Sequence, residues 1–200
     1  SDAGFAPLDV AGFGEALVRI EATAICTWEQ RTYSGAQDNK FPFIGGHEVA
    51  GTIVSIGDGY KGALAVGDRV ALGGASCNSC HWCYMGMDRV CEQHYGGSVE
   101  YDEGWGPGGF AELKIHPTDA LFPIGDVPAH LGCLTEPLSC ALHAARLAGA
   151  QVGNDVVILG AGTLGPMNLT AMTKRGARVT VSERDADRLP KAKDMGAHTP

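Results

Sequence analysis

No apolar run in this 200-residue chain comes near the length of about 18 residues that a membrane-spanning helix needs. Basic residues are also scarce. Fifteen Lys and Arg stand against 23 Asp and Glu, a formal net charge of -8 with a pI near 5.3. That balance argues against a nucleic-acid surface and against docking to anionic membranes. The opening residues SDAGFAPLDV carry no basic segment and no apolar core, so they do not read as a secretory signal. Internal repeats and low-complexity tracts are lacking as well. An even cysteine count is missing too: seven thiols cannot all pair within one chain, and disulfide scaffolds are usually smaller and secreted. The expectation is a cytoplasmic protein with reduced thiols.

What is present supports a sizeable core and many tight turns: 44% of residues are hydrophobic and 29 are glycine. Four of the seven cysteines fall in CNSCHWCYMGMDRVC, residues 77–91. Cys77, Cys80, Cys83 and Cys91 form C-x2-C-x2-C-x7-C. The short links let neighbouring thiolates converge, and the longer one closes a fourth corner, as in a structural zinc site. Four thiolates leave no open position, so such a metal holds a loop together and does no chemistry. Disulfides or an iron–sulfur cluster are the other uses of four cysteines, although these spacings differ from the common cluster patterns. His81 and Trp82 read as loop residues.

A second constellation is dispersed. EALVRIEATAIC (15–26) alternates and reads as a strand ending at Cys26. FIGGHEVAGTIVSIG (43–57) reads as a Gly-Gly turn, then His47 and Glu48, then a strand. AVGDRVAL (65–72) and GGFAELKI (108–115) read as further strands, and LTEPLSCALHAARLAG (134–149) as a helix begun by Pro137 with Glu136 just before it. A cysteine, a histidine and a carboxylate, each at an element's end, could form a three-ligand metal site with an open position. Spacing alone does not bring Cys26, His47 and Glu136 together. Each also has an ordinary reading, as inert core thiol, structural histidine and helix-dipole carboxylate.

Beyond residue 150 the pattern changes. Residues 155–159 read as a strand that is apolar after Asp155, the mark of a buried parallel strand. Gly160, Gly162 and Gly165 follow as G-x-G-x-x-G, then an apolar stretch to Lys174, then GARVTVS as a second strand. In a dinucleotide fingerprint the first glycine permits the turn, the second the approach of a pyrophosphate, and the third helix–strand packing. Glu183 closes the second strand, where an acid holds a ribose 2′-hydroxyl and disfavours a 2′-phosphate. Arg184 beside it softens that preference. NAD is therefore expected, with NADP the lesser alternative.

GGHEVAGTIVSIG, the cysteine lobe, GGFAELKI, TEPLSCALHA and VVILGAGTLG occur in this order over nearly the whole chain. In combination they resemble the zinc-dependent medium-chain dehydrogenases of the alcohol dehydrogenase superfamily, nearest the sorbitol and threonine dehydrogenase branch. The resemblance implies a GroES-like, β-rich catalytic domain over 1–148 with a structural zinc lobe at 77–91. It implies the start of a doubly wound α/β Rossmann domain over 149–200, incomplete because two strands stand where about six are expected. Cys26 and His47 would bind a catalytic zinc. Glu136 would occupy the third-ligand position, with Glu48 binding the metal in some states or standing behind it. Leu164, Glu183 and Arg188 match cofactor-contact positions, beside Thr163, Arg184 and the three glycines. Cys133 and Cys140 match no ligand position and are expected in the core.

The chain departs from the family where C-x-[ST]-D-x-H is usual. Here CTWEQR puts Trp28 in place of the hydroxyl and Arg31 in place of the histidine. Glu29 can replace the aspartate that orients a metal-bound histidine. Thr27, a water or Glu48 would have to carry the proton instead, and Trp28 is expected to narrow or flatten the substrate pocket. Pro190, inside the helix expected after Glu183, is expected to delay or kink it. The implied activity is NAD-dependent, zinc-assisted hydride transfer from a secondary alcohol or polyol, in a dimer or tetramer. The alternatives are a zinc-free NADP-dependent reductase of the same fold and a non-catalytic zinc-binding module.

Overall fold

A computed structural model describes residues 11–93, 99–101 and 104–198. The chain divides into two compact units, Ser1–Glu136 and Pro137–Pro200. This division and the sequence boundary after residue 148 bracket one helix. No helix among the described residues is long and apolar enough to cross a membrane.

The first unit is built on strands β1 (Glu15–Ala24), β2 (Glu48–Ile56) and β3 (Arg69–Leu72), with short helix α1 (Thr27–Tyr33) between β1 and β2 and α2 (His81–Tyr84) after β3. A hairpin of β4 (Val99–Tyr101) and β5 (Gly104–Gly106) follows, then β6 (Leu113–Pro117), β7 (Leu121–Pro123) and α3 (Ala129–Gly132). Five strands form one antiparallel sheet in the order β6-β1-β2-β3-β7. Its core is Ala16, Val18, Val49, Ile53, Val70, Leu72 and Leu121. Burying a side chain such as Ile53 or Val70 contributes roughly 1.5–3 kcal/mol. A one-residue slip would turn this set to solvent, so the core fixes the register.

The strands are shorter than the sequence suggested. β1 ends at Ala24, and Cys26 caps helix α1. Residues 65–68 form a turn in which the Asp68 carboxylate accepts the Ala65 N–H at 2.8 Å. The 108–110 segment precedes β6 and pairs with the chain before β2: Gly108 donates to Ile44, Gly109 to Gly46 and Phe110 to Gly45, all at 2.9–3.0 Å.

His116, on β6, lies beside Gly73, with its Nε2 3.0 Å from the Gly73 carbonyl. Burial, then the Lys114 charge, lowers its pKa to about 4 from an ordinary 6.5. The folded state therefore binds this proton less readily than the unfolded chain. Its stabilising contribution is complete above pH 6.5 and is lost as pH falls from there to about 4. The expected loss is about 3 kcal/mol. Urea midpoints at pH 7 and 4.5 should show this component in the parent protein and not in His116→Gln.

The second unit begins within helix α4 (Thr135–Leu147) and continues through β8 (Asp155–Leu159), α5 (Leu164–Lys174), β9 (Arg178–Ser182) and α6 (Leu189–Asp194). Strands β8 and β9 are parallel, with Val157 opposite Thr180, and α5 is their crossover. Ala145, Leu169, Met172, Val179, Val181 and Ala192 form the core, with Val156 and Ile158 packed against it. The apolar run of β8 suggested burial on both faces. Val157 and Leu159 are instead 63% and 83% exposed, because among the described residues only one face of the pair is covered. Cys140, expected in the core, is exposed on α4. Pro190 lies in the first turn of α6, after a 3-10 turn at Ala186–Arg188, so it starts a delayed helix and breaks none.

Candidate metal centres and dinucleotide loop

Antiparallel pairing places Ala24 opposite Glu48 at one end of the sheet. The residues just past β1 and just before β2 therefore meet, although they are far apart in sequence. Ligand atoms of Cys26, His47 and Glu48 lie within 4.8 Å of one another. Glu136 is not part of this group. It sits in the first turn of α4, not ahead of the helix, and its carboxyl feels the charges of His47, Glu48 and Glu29.

Glu29 organises the site. It occupies the third position of α1 and reaches back so that one oxygen accepts the Cys26 N–H at 3.1 Å, half of a capping box. The other oxygen accepts the Gly46 N–H at 3.0 Å and lies 2.7 Å from Nδ1 of His47. The carboxylate is buried. With Nδ1–H donated to Glu29, the imidazole keeps Nε2 for a metal, the arrangement that fixes the tautomer of a ligating histidine. Gly46 is required here. Its φ is +93°, and an added Cβ would lie 2.7 Å from the Gly109 carbonyl carbon. Trp28 packs edge-on against His47, with ring centroids 5.6 Å apart, and against Phe43 at 5.4 Å. The Thr27 hydroxyl is 3.9 Å from the Cys26 sulfur.

The site is rich in negative charge. Desolvation raises the Glu48 pKa, the His47 charge and a hydrogen bond to Cys26 offset it in part, and Glu29 adds to it. Desolvation likewise raises Glu136, with Glu48 and Glu29 repelling it further. Carboxylates crowded around one thiol and one imidazole fit a divalent cation, and the sulfur, nitrogen and oxygen donors fit zinc. Cys133 lies close enough for Glu48 to raise its thiol pKa after desolvation does so, and its sulfur donates to the His130 carbonyl. It is not in the ligand group.

In the cysteine lobe all four sulfurs lie within 4.8 Å of one another. Cys80 and Cys83 are 3.5 Å apart, and the Cys77–Cys83 and Cys80–Cys91 pairs are 3.9 Å apart. A tetrahedron with zinc–sulfur arms of 2.3 Å has edges of about 3.8 Å, whereas a disulfide would be near 2.05 Å. The Cys91 sulfur accepts N–H groups from Cys77 and Gln93 at 3.4 Å. Hydrogen bonds from Ser79 pull the Cys77 thiol down to about 6. Desolvation and the neighbouring sulfurs push Cys83 up to about 11. His81 and Trp82, expected in a loop, lie in the single turn of α2, which buries no residue. Besides local backbone bonds and the Asn78 amide donated to Asp119, the lobe is gathered around its sulfur centre, which fits a structural zinc.

The glycine loop follows β8. Gly160 has φ +103°, and its N–H donates to Ser182 at 2.7 Å. A Cβ on Gly165 would stand 2.3 Å from the Gly160 carbonyl oxygen, so α5 packs on the turn only with glycine there. Over Gly162 the first atom met is Nη1 of Arg188, at 3.8 Å, which leaves open space for a phosphate. Gly162, Thr163 and Leu164 are exposed at the start of α5. Glu183 accepts N–H groups from Ala161 at 2.6 Å and Asp185 at 2.9 Å. Those bonds, with the Arg188 charge, lower its pKa. Arg188 pairs with Asp185 at 3.2 Å, and Arg184 is exposed. The loop fits a dinucleotide.

Two features of the first site were not anticipated. Helix α1 was missed because its cap is a cysteine, outside the usual Ser, Thr, Asp and Asn set. Trp28 was expected at the pocket, but its row with Phe43 and Phe41 was not, and F-P-F at 41–43 was the further trace of it in the sequence.

Residues 12–126 match the alcohol dehydrogenase GroES-like domain. The chain is 32% identical to D-altritol 5-dehydrogenase of Agrobacterium fabrum, over 93% of its own length and 56% of that protein. It is 34% identical to L-threonine 3-dehydrogenase of Shewanella frigidimarina, over 96% of its length and 56% of the relative. The crystal structure of galactitol-1-phosphate dehydrogenase from Escherichia coli superposes with a TM-score of 0.86 at 28% identity, covering 98% of this chain and 56% of that one. The chain thus spans about half the length of the curated relatives it matches. With its GroES-like unit followed by the first strands of a Rossmann unit, the chain belongs to the zinc-dependent medium-chain alcohol dehydrogenase superfamily.

Proposed function

We propose that the protein transfers hydride between NAD(H) and a secondary alcohol or polyol, or the matching ketone, with zinc at the Cys26 site. The observation that carries this reading is the convergence of Cys26, His47 and Glu48, with His47 oriented by Glu29. The altritol and threonine dehydrogenases among its relatives support the substrate class. Cys26, His47 and Glu48 would hold the catalytic zinc, with Glu136 the carboxylate that can take the third position. Cys77, Cys80, Cys83 and Cys91 would hold the structural one. Gly160, Gly162, Thr163, Leu164 and Gly165 would bind the pyrophosphate, with Arg188 beside it. Glu183, next to Arg184, would take the adenosine ribose. The protein would work in the cytoplasm as a dimer or tetramer on small molecules, with neither nucleic acid nor membrane as partner.

A zinc ion supplies a Lewis acid that eases loss of a hydroxyl proton, and the nicotinamide supplies the hydride acceptor. The chain's own residues do the rest. Glu29 holds the His47 proton on Nδ1 and keeps Cys26 at the head of α1. Glu48 balances charge beside Cys26. The exposed Thr27 hydroxyl, next to the Cys26 sulfur, passes the released proton to solvent in place of the missing hydroxyl–histidine relay. The test is NADH formation from a secondary alcohol by the full-length protein. Chelation should abolish it and zinc restore it, and NADP+ should be about tenfold less efficient because Glu183 repels a 2′-phosphate. Turnover that survives complete removal of zinc would contradict the reading.

A further inference from the structure

The residue that breaks the family pattern stands against the proposed metal ligand. Trp28 occupies the position where the resemblance places a small hydroxyl residue. Its ring meets His47 at 81° with centroids 5.6 Å apart. On its other side it packs on Phe43 at 5.4 Å, and Phe43 on Phe41 at 6.2 Å. Trp28 and Phe43 are partly exposed, and Phe41 is 65% exposed. A row of three aromatic rings therefore runs from His47 out to solvent.

Helix geometry puts Trp28 there. Cys26 caps α1 and Glu29, at its third position, turns inward beneath His47. Trp28 is one position earlier, about 100° around the helix, so it cannot share the buried side with Glu29 and rises beside the imidazole. Glu29 already takes Nδ1, so a substrate held next to the other edge of His47 has the indole as its neighbour.

We propose that this aromatic wall makes the site selective for cyclic secondary alcohols over open-chain polyols. The inference rests on the reading of the Cys26 site as the place where the alcohol binds. A ring presents a continuous C–H face that stacks on indole, whereas a chain bearing a hydroxyl on every carbon leaves polar groups against it unpaired. An apolar contact of this kind discriminates by roughly 10- to 200-fold, whether against a missing carbon or against an added hydroxyl. The wall therefore acts on both sides of the comparison.

The experiment compares kcat/KM for cyclohexanol and sorbitol in the full-length protein and in Trp28→Thr. It adds equilibrium binding of cyclohexanol, read by tryptophan emission against Trp28→Phe, and the zinc content of each variant. The parent should prefer cyclohexanol by about tenfold or more. Trp28→Thr should shift that ratio by about tenfold toward sorbitol with zinc unchanged. A ratio that moves less than twofold would reduce Trp28 to a packing residue and overturn the inference. If neither alcohol turns over, cyclohexanol binding that changes Trp28 emission upholds the wall while the oxidoreductase reading fails. Absence of both turnover and binding overturns the wall as well.

Discussion

Replacing Cys26 with serine will reduce alcohol turnover about 1,000-fold or more and remove one zinc per chain, while the fold and the cysteine lobe persist. The size of the effect follows from the donor set. The site relies on one sulfur, one imidazole and a carboxylate whose negative charges crowd together. Loss of the sulfur removes a strong zinc ligand. A Lewis acid that lowers the pKa of bound water from 15.7 to near 7 contributes several kcal/mol to such chemistry, and each 1.36 kcal/mol is tenfold in rate. The fold should survive because Cys26 belongs to neither apolar core and caps a helix of only seven residues. Its cap is secured from the other direction, by Glu29 on the Cys26 backbone N–H, a bond serine leaves intact. Steady-state kinetics, elemental analysis and thermal unfolding on the same preparation check all three parts.

Cys83→Ser should behave in the opposite way. The lobe has no apolar core, since neither α2 nor the turn at Asp88–Val90 buries a residue. Metal binding at a four-thiolate site is worth on the order of 10–16 kcal/mol apparent. Even a few kcal/mol lost from a chain of this size lowers Tm by about 10 °C. The expected result is that drop together with rapid proteolysis between residues 77 and 91. An unchanged Tm and an intact lobe would mean that the sulfur tetrahedron does not hold a metal that stabilises the protein.

Residues whose partners are close in sequence were the legible ones. The C-x2-C-x2-C-x7-C spacing already commits four sulfurs to one centre, because two of its three links are short and the third spans only seven residues. The strand–G-x-G-x-x-G–helix–strand run is local in the same sense, and β8, α5 and β9 lie where the periodicity put them. The Cys26 site was legible only as separate candidates. What brings Cys26 to His47 is the pairing of Ala24 with Glu48, a non-local register set by the core and invisible to spacing. Glu29 was legible as a substitute for an aspartate, but not its bonds to Gly46 and His47, because those depend on the chain's path through Gly46 in its left-handed conformation. Burial was least legible. The runs holding Leu159 and Cys140 imply enclosure, yet exposure depends on which elements lie over them.

The zinc content of the purified full-length protein, before and after mild chelation, tests the account most directly. The account predicts two zinc ions per chain. One should leave readily with loss of turnover, from the open three-ligand site at Cys26, His47 and Glu48, and one should stay in the four-cysteine lobe. A single tightly held zinc, unchanged in Cys26→Ser, would contradict it and leave the Cys26 cluster without a metal role.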